Sequence, residues 1–174
     1  CEIVSCFSIL KNNGNFVLKI FDIYTNITLQ MIYLLNIFFE EVIIFKPFTS
    51  RPANSEKYLI CKKFKGIKND NLECLYDMVR EWSVISSKNL FVNNLFNFEI
   101  PNYYKTILSM TNYYFLRKQI TNIIHTIHVI KNKKNFLIYD KNHYLKRQTV
   151  YSILWCEFYN QNINYKSKYL QYVA

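Results

Sequence analysis

Glycine and proline are nearly absent, with two and three residues among 174. So sparse a supply excludes a Gly-rich flexible linker, a collagen-like repeat, and any G-x-G-x-x-G or Walker-type phosphate loop inside the chain. Cysteine occurs five times (Cys1, Cys6, Cys61, Cys74, Cys156) but never as C-x-x-C. An odd, unpatterned set points to reduced, buried thiols in an intracellular protein and away from a disulfide framework or a zinc site. The most apolar stretch, 27–48, contains Asn36, Glu40 and Glu41, which a bilayer centre would penalise. A core helix followed by a strand is the expectation there, not a membrane span. The chain opens on Cys1 without an initiator Met or a signal-like segment, and its first residues read as the middle of a fold. A fragment or processed piece is therefore expected.

What is present is apolar and basic. With 51% hydrophobic and 18% aromatic residues the chain is far too apolar for disorder and suits one compact unit, or one domain with an appendage. The net charge of +10 is unevenly placed. Residues 1–100 hold eleven Lys/Arg against ten Asp/Glu, whereas residues 101–174 hold eleven against Asp140 and Glu157 alone. A basic region rich in aromatics is the footprint of a surface that meets phosphates, with A/T-biased codon usage as the competing explanation.

Hydrophobic periodicity predicts an α/β fold. Residues 1–10 read as an amphipathic helix closed near Gly14 in a left-handed cap. Phe16–Phe21 is apolar on both alternating faces apart from Lys19, the pattern of a central strand covered on both sides. A helix of about 13 residues follows the turn at 22–26. Strands are expected at 41–46, halted by Pro47, and at 57–62, the last antiparallel to its neighbour. After Gly66 the pattern turns helical: from Asp70 with a capping box to Glu73, from Pro101 to about Ile130, and over 145–159.

Lys19 stands out first. An ammonium in a buried strand must meet an anion or give up its proton, and it lies near the strand's C-terminal end, where α/β sheets place ligands. A lysine snorkelling from a sheet edge is the competing reading. Glu56 opens the third strand, and if that strand runs antiparallel beside the first, Glu56 comes within reach of Lys19.

These residues sit in two connected motifs. Asn13-Gly14-Asn15-Phe16-Val17-Leu18-Lys19-Ile20-Phe21 is followed by Lys46-Pro47, then Ser50-Arg51, then Ser55-Glu56-Lys57-Tyr58. Residues 1–63 thereby resemble the FtsJ-like ribose 2′-O-methyltransferases, with a flavour similar to the cap-methylating enzymes of large cytoplasmic DNA viruses. The resemblance implies the C-terminal half of a Rossmann-like, S-adenosylmethionine-dependent methyltransferase sheet over residues 1–65, followed by a basic, mostly helical extension over 66–174. It implies RNA 2′-O-methylation, with the capped 5′ end of mRNA as substrate, a cytoplasmic setting in host or virion, and viral transcription or capping partners. It also implies Lys19 and Glu56 as catalytic residues, being the second lysine and the glutamate of a Lys-Asp-Lys-Glu tetrad, and Ser50, Arg51 and Ser55 as lining the substrate cleft. The tetrad's first lysine, its aspartate and the glycine-rich cofactor turn belong to an earlier part of that fold, so the chain as it stands is expected neither to bind S-adenosylmethionine well nor to turn over. A non-catalytic RNA-binding or scaffolding subunit that keeps the fold is the alternative.

Three weaker signals remain. His125, His128 and His143 have spacing compatible with metal ligation but no acidic or thiol partner nearby, which favours helix-surface or core histidines. Tyr103, Tyr104, Tyr113, Tyr114 and Phe115 flank Arg117 and Lys118, as base-stacking residues or as core. Lys131-Asn132-Lys133-Lys134 and 141–147 form either a phosphate-tracking surface or solvated loops.

Overall fold

A computed structural model describes residues 1–88, 90–131 and 138–173. The element order is α1 (Glu2–Ile9), β1 (Phe16–Ile20), α2 (Asn26–Phe38), β2 (Phe39–Phe45), β3 (Lys57–Phe64), α3 (Asn69–Ser87), α4 (Asn102–Lys131) and α5 (Ile138–Phe158), with a closing 3₁₀ turn at Lys168–Tyr172. Lys133 and Lys134 of the expected basic run lie outside the described residues. The chain separates into two compact units, residues 1–46 with 55–117 and residues 47–54 with 118–174.

The first unit is built on a three-stranded antiparallel sheet in the order β1-β3-β2. β1 pairs with β3 from Phe16↔Cys61 to Ile20↔Lys57, and β2 pairs with β3 from Phe39↔Phe64 to Phe45↔Tyr58. One sheet face carries Phe16, Leu18, Leu59, Cys61, Val42 and Ile44 into the core with Ile3, Val4 and Phe7 of α1 and Ile32 and Leu35 of α2. Thr25 caps α2 by accepting a hydrogen bond from the Thr28 N–H at 3.2 Å. Phe39, completely buried where α2 passes directly into β2, joins Phe7, Phe16 and Phe64 with ring centroids 5.2–6.5 Å away. Gln30 of α2 is buried yet satisfied. Its amide donates to the Phe96 carbonyl at 3.0 Å and its carbonyl accepts from the Leu95 N–H at 2.6 Å, tying the loop after α3 to the core.

Four expectations need correction. β1 is an edge strand, not a central one. Its alternate residues Val17 and Lys19 are exposed, because β3 takes the middle of the sheet and the opposite face of β1 is open among the described residues. The left-handed residue after α1 is Asn13, with φ of 65°, and not Gly14. Gly14 is required for closeness instead: an added Cβ would lie 2.6 Å from Leu10 Cδ1 and 2.8 Å from the Lys11 carbonyl. No capping box closes at α3, whose N-cap is Lys68 without a side-chain bond; Asp70 sits in the first turn, where its charge meets the positive end of the helix dipole. The thiols also divide. Cys6 and Cys61 are buried, but Cys1 and Cys74 are exposed.

The second unit contains the loop 47–54, the last part of α4, α5 and the 3₁₀ turn. Phe48 rests on Tyr151 and Phe158 of α5, each centroid 6.3 Å away, and Gln119 donates to the Ala53 carbonyl at 3.2 Å. Thr149 is buried and donates to the carbonyls of Leu145 and Tyr169, which holds the 3₁₀ turn on α5. No described helix is long and apolar enough to cross a membrane.

Phe39 is the side chain on which the first unit's packing converges, so Phe39→Ala is expected to cost about 3–5 kcal/mol of unfolding free energy. Urea denaturation followed by circular dichroism measures it, and a much smaller loss would mean that the aromatic cluster closes up without the ring.

Candidate functional site

The antiparallel register sets Lys19 of β1 directly opposite Tyr58 of β3, which in turn pairs with Phe45 of β2. This cross-strand row lies at one end of the sheet, on the face turned away from the core. Glu56 lies just outside the ladder, two residues before Tyr58 and so on its side of the strand. The expected approach of Glu56 to Lys19 is present: Lys19 Nζ and Glu56 Oε2 are 3.0 Å apart, with side-chain exposures of 51% and 23%. Lys19 thus meets an anion at a sheet edge and is not desolvated, because the face it occupies is open. Its ammonium also lies 5.3 Å from the centroid of the Phe21 ring.

The second carboxylate oxygen is occupied as well. The Tyr58 hydroxyl donates to Glu56 Oε1 at 2.6 Å. With the Tyr58 bond first and the Lys19 bond second, the Glu56 carboxyl is held below the usual glutamate range. The same bond raises the Tyr58 phenol. The arrangement is a carboxylate clamped between a phenol and an ammonium, with the ammonium half open to solvent. Such a lysine has a fixed direction and can still reach a bound hydroxyl.

Two further lysines attach to the backbone here. Lys46 donates to the Glu56 carbonyl at 2.8 Å and Lys57 to the Ser55 carbonyl at 2.7 Å. Burial lowers both ammonium groups from their ordinary range. Tyr58 and Lys46 both stand in the sequence motif, which gives neither a role. The available signal was spacing: Glu56 and Tyr58 share a strand side, and Lys46 follows the residue that pairs with Tyr58.

Of the residues expected at the substrate, Ser55 adjoins Glu56 and its carbonyl is engaged by Lys57. Ser50 and Arg51 belong to the second unit, where two tight turns shape their loop. The Ser50 N–H donates to the Pro47 carbonyl at 2.9 Å, and the Asn54 N–H donates to the Arg51 carbonyl at 3.1 Å. The Arg51 side chain is exposed. The helical aromatics split between packed and exposed positions. Tyr104 packs edge-on to Tyr33 at 5.0 Å with its phenol pushed up to about 12 by burial, and Phe115 lies 5.5 Å from the Lys57 ammonium, whereas Tyr103, Tyr113 and Tyr114 are exposed. His125 is hydrogen-bonded to Tyr144.

The described residues do not assemble a cradle for a nucleoside cofactor. Both glycines are already filled in: Gly14 against Leu10 and Lys11, and Gly66, with φ of 84°, against Asn12. An open cavity of about 620 Å³ between Phe7, Leu10, Phe38 and Lys68 adjoins Phe64 and Gly66 at the opposite end of β3 from Glu56.

Residues 1–64 match the sequence model of the FtsJ-like methyltransferase family. Over 100 residues the chain is 43% identical to cap-specific mRNA (nucleoside-2′-O-)-methyltransferase 1 of Mus musculus, covering 57% of this chain and 11% of that protein. It is 36% identical over 120 residues to the Dictyostelium discoideum protein of the same name (68% and 16%) and 46% identical over 65 residues to the human one (37% and 8%). The matches thus span no more than about a sixth of these relatives. The mouse and Dictyostelium matches, over 100 and 120 residues, far exceed the 64-residue family segment, so the similarity continues into the helical residues. The relatives named are eukaryotic, and the viral setting expected from sequence draws no support from them.

The clamp predicts a pH response. A carboxyl whose native range is lowered contributes stability that is complete above the ordinary glutamate range and is lost as pH falls through the native value. Tyr58→Phe removes the first cause of that lowering, so Glu56 in the variant is expected to titrate closer to an ordinary glutamate. Carbonyl-detected NMR measures this, and an unmoved titration would exclude the phenol as an anchor.

Proposed function

With residues 1–64 carrying FtsJ-like methyltransferase sequence, we propose that the chain supplies the catalytic edge of an RNA 2′-O-methyltransferase acting on the capped 5′ end of mRNA. The observation that carries this is the Lys19–Glu56 pair at 3.0 Å, braced by Tyr58, within the segment that matches the family. A ribose 2′-hydroxyl is a weak nucleophile that must be oriented and must lose its proton as it attacks a methyl group. Lys19 orients that hydroxyl and its charge favours the alkoxide that forms as the proton leaves to solvent, while Glu56 fixes the direction of the nitrogen. S-adenosylmethionine is the methyl donor that the family implies, and the described residues do not form a cradle for it.

In this reading Ser50, Arg51 and Ser55 line the path of the RNA, residues 1–65 are the methyltransferase portion and 66–174 the extension. The extension holds RNA through its charge, since residues 101–174 carry eleven basic side chains against two acidic ones. The setting is cytoplasmic. The capped substrate is supported by the printed activity of the mouse and Dictyostelium relatives.

Lys19→Ala in the full-length protein is expected to abolish methyl transfer to a capped RNA oligonucleotide without unfolding the sheet, because Lys19 is at an open edge. Label appearing on the cap-proximal ribose at the wild-type rate would sink the assignment. RNA affinity is expected to travel with residues 101–174 and, for about three phosphate contacts, to fall on the order of tenfold between 50 and 200 mM salt. Anisotropy titration measures this, and salt-insensitive binding would exclude a phosphate-tracking role.

A further inference from the structure

The β3 ladder begins at Lys57, which pairs with Ile20. The carbonyls of Ser55 and Glu56 therefore precede the ladder. Each accepts a hydrogen bond from a lysine ammonium, the Glu56 carbonyl from Lys46 at 2.8 Å and the Ser55 carbonyl from Lys57 at 2.7 Å. The two lysines come from different places. Lys46 follows β2 on the far side of β3 from β1, and Lys57 is the first residue of β3 itself. We infer that Lys46 and Lys57 are positioning residues that hold the Ser55–Glu56 segment rigid so that the Glu56 carboxylate stays aimed at Lys19. The inference rests on the functional reading given above and extends it to two residues that act on Glu56 through its backbone.

Burial makes the arrangement hard to explain by packing alone. Lys57 is 3% exposed, and an ammonium removed from water is costly where an apolar chain of similar length would not be. Its remaining surroundings suit a retained charge: the Phe115 ring centroid lies 5.5 Å away, and Asp22 favours the protonated form while Lys46 opposes it. Lys46 is also drawn from water, with the Glu56 charge favouring its ammonium. Charge-assisted bonds to carbonyls are short and directional, and two on consecutive residues leave the backbone that carries Glu56 little freedom. The carboxylate then needs only Tyr58 and Lys19 to fix its two oxygens.

A double-mutant cycle in the full-length protein tests whether Lys46 acts through Glu56. Lys46→Met is expected to lower kcat by about tenfold with KM for RNA nearly unchanged, and Lys46→Arg, which can donate to the same carbonyl, should recover most of the loss. In a Glu56→Gln background the same Lys46→Met change should cost less than about twofold, since coupled residues do not add. An equal loss in both backgrounds, or no loss in the first, overturns the proposal. A second measurement does not depend on turnover. In the 174-residue chain, Lys57→Met keeps the side-chain length and removes the ammonium. The Glu56 carboxyl, followed by carbonyl-detected NMR, should then titrate closer to an ordinary glutamate as its hold on Tyr58 and Lys19 loosens. An unmoved titration overturns the clamp. A wild-type protein that transfers no methyl group refutes the functional reading, and the titration still decides for or against the clamp.

Discussion

The antiparallel register of β1 against β3 is the constraint on which the site depends. Five residue pairs, from Phe16↔Cys61 to Ile20↔Lys57, place Lys19 and Tyr58 on one face and Leu18 and Leu59 on the other. Because side chains alternate with a period of two, slipping β1 by one residue would turn Lys19 into the core and Leu18 out to water. Burial of Leu59, Cys61 and the half-buried Phe16 and Leu18 opposes that slip, so the hydrophobic face of the sheet is what holds the functional face in place. Packing and chemistry are thereby coupled through one strand, with the core contacts made by alternate residues and the charges carried by those between.

The electrostatics follow from the same geometry. Glu56 is surrounded by donors: a phenol and an ammonium on its carboxylate, and a further ammonium on its own carbonyl. The surrounding chain is nearly neutral over residues 1–100, so the cluster is a local concentration of cations on a quiet background. The long-range field comes from residues 101–174 instead. In the proposed reading a phosphate backbone is attracted by the second region and a single hydroxyl is handled by the first. Salt would then act on binding far more than on the contacts around Glu56, which are direct and partly shielded from water.

Much of this was legible in the chain. The helix of 13 residues, the hairpin strands and the long helix after Pro101 follow from periodicity and from proline and turn residues, which act locally. The nearness of Lys19 and Glu56 was legible as soon as the third strand was taken to run antiparallel beside the first. The position of β1 was not. A run of apolar residues on both faces reads as a central strand, yet β3 lies between its neighbours and β1 carries an exposed Val17 and Lys19. Strand order is a choice between distant segments, and nothing in a six-residue pattern encodes which neighbour is on each side. The role of Gly14 is hidden from the sequence for a related reason. Its need for no side chain comes from Leu10 and Lys11 folding back on it, a contact, not from its own φ.

By itself, the sequence determined the elements, the identity of the charged residues within an apolar strand, and the asymmetry of charge along the chain. These depend on residues within a turn or two of one another and on simple counts. Only the tertiary structure decided that Lys19 faces an open edge and meets an anion without losing water, that Tyr58 takes the second oxygen of Glu56, and that Lys46 and Lys57 hold the backbone beneath it. Each of those is a distance between atoms on different strands or beyond the ladder's end. Such distances are fixed by which strands pair and in what register, and the energy that selects them is spread over the whole buried face of the sheet.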